Sequence, residues 1–310
     1  MRIPELLSPA GNYTNFIAAV ENGADAVYMG LPKFNARAMV DNFSVNDYIK
    51  AIKYAHIKNC KVYLTLNTLV RDDEIKDALS SLANLVSAGL DGVIIQDLGL
   101  ADTVHKVFPS LPLHASTQMT VYNLEGVQVL ESLGFKRVVL ARELSLEEIR
   151  YIKEHTNVEL EVFIHGAACV CYSGACFLSQ INGGRSANRG SCAQPCRLRY
   201  ELFDDTDERI AIGNLLSSKD IYGMPYLKEL AKMGIDCLKI EGRAKTPEYV
   251  SVVTSKYRKY LDLIKKDLDV EVTNEDENEL LQVFNRGGKH SHYFEGKKGK
   301  DSISYQCSKN

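Results

Sequence analysis

The sequence lacks the features that mark secreted, membrane-spanning and disulfide-stabilised proteins. Within its 310 residues, no apolar run reaches the length of about 18 residues that a membrane span needs. The amino terminus has no basic stretch followed by an apolar one, as a secretion signal would have. Eight cysteines are too few for a disulfide scaffold in a chain of this length. We therefore expect a cytoplasmic protein with reduced thiols and no membrane partner.

An excess of positive charge is missing too. The chain has 37 Lys and Arg residues against 40 Asp and Glu residues, a net charge of −3. Overall charge therefore does not indicate a nucleic-acid-binding protein, and an RNA partner would need a local basic patch. The composition, 45% hydrophobic and 25% charged, is typical of a globular protein. The length suffices for one large α/β domain or two small ones.

A strand–helix unit recurs along the chain. Each copy has a helical pattern, a glycine or turn, and then three or four apolar β-formers, often preceded by an acidic residue. The eight candidate strands lie within residues 5–11, 22–30, 58–68, 88–97, 109–117, 133–142, 156–166 and 233–243. Strands that alternate with helices pair in parallel, and eight units predict a closed (β/α)8 TIM-like barrel. An open doubly wound sheet is the alternative, but the first strand lacks the Gly-x-Gly-x-x-Gly turn typical of that fold.

The spacing of the units changes after the seventh strand. Units recur until Asn157, and the next clear copy begins only at Met233. We therefore predict a barrel over residues 1–266 with a cysteine-rich insertion at about 167–232, on the face where barrel enzymes build their active sites. Residues 267–310 form a C-terminal extension, which we interpret as an appendage or as the start of a further small domain.

Residues at the ends of the predicted strands are site candidates by position. They are Asn67, Gln96, Asp97, Ser116, Gln118, Arg142, Glu143, His165, Lys239, Glu241 and Arg243. Some residues of this kind only cap strands or bind neighbouring loops. The catalytic candidates among them are Asn67, Gln118, Arg142, His165 and Glu241. His165 could act as an acid or base, or could only hydrogen-bond the barrel rim.

Four cysteines of the insertion lie within 28 residues: Cys169, Cys176, Cys192 and Cys196. Structural zinc sites favour ligand pairs roughly two to four residues apart, and only the last pair meets that spacing. A [4Fe-4S] cluster accepts looser spacing among four thiolates. The spacing thus favours an iron–sulfur cluster, with zinc and uncoordinated thiols as alternatives. Cys171 is a fifth thiol, either a small buried side chain or a redox group.

The cysteine segment is basic. No Asp or Glu lies between Val162 and Tyr200. The same segment contains Arg185, Arg189, Arg197 and Arg199. These arginines could offset the negative charge of a four-thiolate cluster, or could contact RNA phosphates. Arg243 joins them as an RNA-binding candidate.

Familiar hydrolase motifs are absent from the sequence. There is no Gly-x-Ser-x-Gly elbow and no His-Glu-x-x-His zinc motif. Peptide hydrolysis needs an activated nucleophile or a metal-bound water, and a cluster with four protein thiolates offers neither.

Five stretches resemble one known family. The segment at 161–179 reads E-V-F-I-H-G-A-A-C-V-C-Y-S-G-A-C-F-L-S, and it resembles the peptidase U32 family. Also similar to this family are E-L-L-S-P-A-G-N, N-G-A-D-A-V-Y-M-G, R-G-S-C-A-Q-P-C-R and L-K-I-E-G-R. The resemblance covers roughly residues 3 to 260. The chain departs from the family at Ala168, where a larger aliphatic residue is usual, and at Cys171, where cysteine is unusual.

The resemblance implies two competing functions. Some family members are described as collagenases or other proteases. Others resemble oxygen-independent hydroxylation proteins with a [4Fe-4S] cluster, which act on a tRNA uridine, a ribosomal RNA cytidine or the ubiquinone ring, with prephenate implicated as oxygen donor. The implied cluster ligands are Cys169, Cys176, Cys192 and Cys196. Some members replace the last cysteine of the loop, and its retention in Q-P-C-R favours the RNA-modifying type over the quinone type.

We therefore expect iron–sulfur-dependent RNA hydroxylation, most directly 5-hydroxyuridine formation in tRNA. The expected partners are tRNA, prephenate as a small-molecule oxygen donor, and an electron donor that the sequence does not identify. A U32-type peptidase or collagenase is the alternative. A second alternative is an RNA-binding module whose metal cluster is only structural.

Overall fold

The computed structural model describes residues 2–37, 41–268, 271–297 and 299–305. The strands are β1 (Glu5–Pro9), β2 (Ala26–Gly30), β3 (Lys61–Leu66), β4 (Gly92–Ile95), β5 (Leu113–Ala115), β6 (Arg137–Val139), β7 (Glu159–Ala167), β8 (Tyr200–Phe203), β9 (Arg209–Ser218), β10 (Asp220–Tyr222), β11 (Cys237–Ile240), β12 (Lys289–His290) and β13 (Ile303–Tyr305). The α-helices are α1 (Tyr13–Glu21), α2 (Val45–Ile57), α3 (Asp72–Ser87), α4 (Leu98–Val107), α5 (Leu124–Ser132), α6 (Leu146–Glu154), α7 (Leu178–Gly183), α8 (Leu227–Lys232), α9 (Pro247–Lys265) and α10 (Asn274–Val283).

Eight parallel strands form a closed barrel. β1 to β7 pair in sequence order, and β11 pairs with both β1 and β7 to close the ring. Helices α1 to α6 follow β1 to β6, while α8 precedes β11 and α9 follows it. The predicted (β/α)8 barrel is therefore confirmed.

Capping residues and apolar stripes explain where the barrel helices form. The side chain of Ser145 accepts the backbone N–H of Glu148 at the start of α6, and the Glu148 side chain accepts the N–H of Ser145. Thr246 caps α9, whose first residue is Pro247, a position where a missing N–H costs nothing. The buried face of α9 is formed by Tyr249, Val250, Val253, Thr254, Tyr257, Tyr260, Leu261 and Ile264. This face packs into the apolar layer between strands and helices.

The interior of the barrel is charged towards the amino ends of its strands. Arg137 pairs with Glu5 at 2.7 Å and with Glu159 at 2.8 Å. Higher in the barrel, Lys239 pairs with the fully buried Glu161 at 2.7 Å. These buried ions are tolerated because each has an opposite charge within contact distance. The network fills the barrel beneath the carboxyl ends of the strands.

The insertion and the C-terminal extension share their sheets. β10 pairs antiparallel with the end of β7, and β12 of the extension pairs with β10. β8 and β9 form an antiparallel hairpin, which β13 of the extension joins through β9. The described part of the extension therefore packs onto the insertion rather than standing apart from it. In the described ranges, no helix is long and apolar enough to cross a bilayer.

Candidate active site

A cavity of about 970 Å³, open to solvent, lies at the carboxyl ends of the barrel strands. The barrel lines it with residues that include Tyr28, Arg37, Thr65, Asn67, Ser116, Gln118, Arg142, Phe163, Lys239, Glu241 and Arg243. The insertion lines it with residues that include Cys169, Cys171, Tyr172, Gly174, Cys176, Leu178, Asn188, Cys192, Pro195 and Cys196. The insertion thus forms the upper wall of a site whose floor belongs to the barrel.

Four of the five catalytic candidates line this cavity: Asn67, Gln118, Arg142 and Glu241. The broader set of strand-end residues adds Ser116, Lys239 and Arg243. Three other members of that set have supporting contacts instead. Asp97 caps α4 by accepting the N–H of Leu100 at 2.9 Å, and the Gln96 amide donates to the Gln118 carbonyl at 3.4 Å. Glu143 accepts hydrogen bonds from Ser173.

His165 is the one catalytic candidate outside the cavity lining. Its Nδ1 lies 3.1 Å from the Tyr257 hydroxyl of α9, and its ring also contacts Tyr249. The register explains this position, because Lys239 pairs with Phe163 whereas the next residue, Ile240, pairs with His165. The extra residue on β7 breaks the alternation of faces, so His165 points towards α9. Burial lowers the pKa of His165 to about 3, so the ring is neutral.

A cluster of arginines surrounds one carboxylate in the cavity. Arg37 pairs with Glu241 at 3.0 Å. Arg243 is buried and donates to Asn35 at 3.1 Å and to Thr65 at 2.9 Å. Burial alone would raise the pKa of Glu241, but Arg37, Arg142 and Arg243 outweigh it and lower that pKa. Glu241 is therefore ionised, and the cavity retains an excess of positive charge.

Arg37 is not among the strand-end candidates, because it lies in the loop after β2 rather than directly behind a strand. The loop is held by side chains of neighbouring strands and of its own residues. Asn67 accepts the N–H of Ala36 at 3.0 Å, and Asn35 accepts the N–H of Arg37 at 2.8 Å. The sequence carries no local signal for this loop, because the hydrogen bonds that hold it form only on folding. Asn67 thus positions Arg37 as well as lining the cavity.

All five cysteines of the insertion line the cavity. Cys192 has two donors close to its sulfur: the N–H of Gln194 at 3.3 Å and the hydroxyl of Ser179 at 3.8 Å. Cys60 and Cys237 are buried in the barrel, as their strand positions predict, while Cys307 lies outside the described residues.

The chemical nature of the thiols suits a soft metal centre, although their positions do not already form a coordination sphere. In the part of the chain that the structure describes, no three His, Cys, Asp or Glu side chains surround a common metal position. The described cysteines are free thiols. Four of them nevertheless share one cavity with an N–H donor, in a segment without carboxylates. Thiolate ligands of this kind select zinc or iron–sulfur centres, so the residues fit the group that the spacing favours.

A fixed turn brings the cysteine loop to the barrel rim. The N–H and hydroxyl of Ser173 donate to Glu143 at 2.9 and 3.1 Å, and Thr120 donates to the Ser173 carbonyl at 2.6 Å. Gly174 has a φ of +78°, and a Cβ there would lie 2.2 Å from the carbonyl oxygen of Gln118. Glycine is therefore required for this close approach. The contacts hold the loop that carries Cys171 and Cys176 against the segments that follow β5 and β6.

The basic residues of the cysteine segment have different surroundings. Arg197 is half-buried and donates to the Ser218 carbonyl at 2.7 Å and to the Ala168 carbonyl. Arg189 pairs with Glu74 of α3 at 2.7 Å. Arg185 and Arg199 are exposed. Arg243 differs from all of these because it is buried in the cavity wall.

Comparison with known proteins gives the family. The model of peptidase family U32 matches residues 11–304. The chain is 43% identical over 261 residues to the 23S rRNA 5-hydroxycytidine C2501 synthase of Escherichia coli (strain K12), covering 84% of this chain and 39% of that protein. It is 37% identical over 304 residues to the tRNA hydroxylation protein P1 of Bacillus subtilis (strain 168), covering 96% of this chain and 72% of that protein.

A solved structure has the same fold. The U32 peptidase Mk0906 superposes with a TM-score of 0.53 at 14% sequence identity, covering 78% of this chain and 94% of that chain. At this identity the likeness concerns the fold alone. The family model spans most of the chain, and the Bacillus subtilis protein is similar over most of both sequences. On this evidence, the chain belongs to peptidase family U32.

Proposed function

We propose that this protein hydroxylates RNA without molecular oxygen, forming 5-hydroxyuridine in tRNA with prephenate as the oxygen donor. The observation that carries the proposal is the single cavity in which five thiols face an arginine-rich floor. Two similar proteins are named for hydroxylation of ribosomal RNA and of tRNA, which supports RNA as the substrate class. An RNA substrate implies that the protein acts in the cytoplasm.

The cysteines provide for a redox centre. Cys169, Cys176, Cys192 and Cys196 would hold a [4Fe-4S] cluster, which supplies one-electron transfer when bound. The N–H of Gln194 and the hydroxyl of Ser179 contribute donors to Cys192. Hydrogen bonds of this kind to a ligand atom orient it for metal binding.

The floor of the cavity suits a small dianion. Three arginines, Arg37, Arg142 and Arg243, face the one carboxylate of Glu241, which leaves an excess of two positive charges. Lys239 is neutralised by Glu161. Guanidinium groups bind carboxylates with two parallel hydrogen bonds. Prephenate carries two carboxylates, which guanidinium groups of this floor can bind.

The remaining cavity surface suits a flat polar ring. Asn67 and Gln118 supply amides, whereas the rings of Tyr28 and Phe163 are buried beneath the ammonium of Lys239, 4.6 and 5.3 Å from their centroids. A base that reacts inside such a cavity must leave its stack, and amide groups can then hydrogen-bond its exposed edge. In this arrangement the arginines orient the donor and the amides orient the base.

The peptidase alternative finds little support in the geometry. Ser173 lies between Cys171 and Cys176, but it is 1% exposed. Its hydroxyl donates to Glu143 and lies 3.4 Å from the backbone N of Arg142. A buried hydroxyl held in this way cannot reach a peptide bond. An RNA-binding module with a structural cluster can be distinguished from an RNA hydroxylase by experiment, because the module would bind RNA without modifying it.

The oxygen donor gives the test of this proposal. A strain that lacks the gene is complemented with the wild-type chain, in one background that makes prephenate and in one that cannot. We expect mass spectrometry of digested tRNA to show 5-hydroxyuridine only where both the chain and prephenate are present. Hydroxylation that persists without prephenate would refute the donor assignment, and no hydroxylation in either background would refute the activity.

A further inference from the structure

Two tyrosines form an exposed aromatic pair beside the cavity mouth. Tyr122 is 52% exposed and Tyr172 is 55% exposed. Their ring centroids are 6.2 Å apart and the ring planes differ by 24°. Exposed aromatic faces at the edge of a site mark an interaction surface more often than isolated apolar side chains do. We call this pair the tyrosine pair.

Both rings are mounted on fixed backbone. Tyr172 precedes Ser173, whose N–H, hydroxyl and carbonyl are all bonded to the barrel rim. Tyr122 follows Val121, whose carbonyl accepts the N–H of Ala141 at 2.8 Å. It precedes Asn123, the residue that caps α5. A ring on such a support loses little conformational freedom when a ligand stacks on it.

The tyrosine pair stands between two recesses. Tyr172 lines the cysteine cavity and also a neighbouring groove of about 680 Å³. Residues of the barrel, the insertion and the extension line this groove, among them Glu143, Ser218, Tyr293 and Ile303. Val170 likewise lines both recesses. A strand that leaves the cavity along this wall passes over the ring of Tyr172.

We propose that the tyrosine pair is a stacking platform for the unpaired RNA base next to the target nucleotide. This inference rests on the proposed RNA hydroxylation. A target base that enters the cavity leaves its neighbour without a stacking partner. An exposed aromatic ring replaces that partner for any of the four bases. The occupant is thus single-stranded or loop RNA.

Binding of a labelled RNA tests the platform. The probe is a fluorescein-labelled single-stranded RNA of about 12 nucleotides, and the full chain is purified without oxygen. We expect Tyr172→Ala and Tyr122→Ala each to weaken binding by about 10-fold, the scale of one lost base stack. Tyr172→Trp should bind within about 2-fold of wild type, because it keeps an aromatic face. The dependence of affinity on salt should not change, because no phosphate contact is lost.

Tyr151 provides the matched control. It is 55% exposed, like Tyr172, but lies on α6 with its ring against His155. Tyr151→Ala should leave RNA affinity unchanged. Wild-type affinity in both platform variants would overturn the inference. So would a change in oligomeric state on size-exclusion chromatography without a change in RNA affinity, which would identify the pair as a contact between copies of the chain.

The platform and the proposed function can fail separately. Nucleosides are measured in the deletion strain complemented with wild type or with Tyr172→Ala. If wild type and Tyr172→Ala both restore normal hydroxylation and bind RNA equally well, the stacking platform is refuted and the proposed reaction is not. If wild type binds RNA through the tyrosine pair but restores no hydroxylated nucleoside, the proposed reaction fails and the binding surface stands.

Discussion

Cys171 and Cys176 offer the sharpest comparison between individual residues, because both line the cavity and only one belongs to the predicted ligand set. We predict that Cys176→Ser loses most of the iron after purification without oxygen, whereas Cys171→Ser retains it. The reason is that a [4Fe-4S] cluster takes four protein thiolates, and Cys169, Cys192 and Cys196 would supply the other three in the proposed ligand set. Iron and sulfide analysis with visible and EPR spectra measures the effect. Equal iron loss in both variants would contradict the ligand assignment.

Single residues also show how far the sequence could predict the site. Asn67, Gln118, Arg142 and Glu241 were found because each follows a recognisable strand, and parallel strands bring their carboxyl ends to one face. Arg37 could not be predicted, because its place depends on hydrogen bonds that the side chains of Asn35 and Asn67 accept only in the folded loop. Position along a strand is readable in the sequence, whereas loop conformation depends on distant partners.

At the scale of elements, the irregular pairing of β7 with β11 moves His165 out of the site. The sequence predicted the strand, but alternation along β7 did not show which face His165 takes. The extra residue of β7 appears only when β7 pairs with β11, a strand far along the chain. The same pairing buries His165 against Tyr249 and Tyr257 of α9. This contact joins the barrel wall to its longest helix.

The buried histidine makes stability depend on pH. Burial lowers the pKa of His165 to about 3, against about 6.5 in an unfolded chain. Between these values the unfolded chain binds a proton that the folded chain does not, so stability falls as pH decreases. We predict that this group removes about 2 kcal/mol of unfolding free energy between pH 7 and pH 5. Urea denaturation at pH 7 and at pH 5 measures the loss of unfolding free energy between the two. In His165→Phe this loss should be smaller than in wild type by about 2 kcal/mol. An unchanged pH dependence would argue against a buried neutral ring.

The arginines of the insertion differ in their surroundings, and we expect them to differ in role. Arg197 binds the carbonyls of Ala168 and Ser218, next to the cysteine loop and β10, whereas Arg185 and Arg199 are exposed. We predict that Arg197→Ala lowers iron retention and leaves the salt dependence of RNA binding unchanged. Arg199→Ala should keep its iron and reduce the log–log salt slope by about 0.7, the loss of one phosphate contact.

Iron analysis and binding titrations over a range of salt concentrations measure both effects of these arginine variants. Arg185→Ala serves as a second exposed variant. A reduced salt slope with intact iron in Arg197→Ala would show that its guanidinium faces RNA instead of the backbone carbonyls.

At the scale of the whole molecule, positive charge is local. The net charge is −3, yet the cavity floor holds three arginines around one carboxylate. The insertion and the described part of the extension pair with each other and, through β10, with β7 of the barrel. The chain therefore builds one wall of its site from sequence that lies outside the barrel repeat. The repeat predicted the barrel, but the pairing of the extension with the insertion had no local sequence signal.

The most direct test of the central claim is mass spectrometry of tRNA nucleosides from a deletion strain grown without oxygen. The strain is complemented with wild type, Cys171→Ser or Cys176→Ser. We expect wild type and Cys171→Ser to restore 5-hydroxyuridine, whereas Cys176→Ser should not. The contradicting result is a nucleoside profile that deletion leaves unchanged, together with casein or collagen cleavage that survives purification and disappears in a point variant.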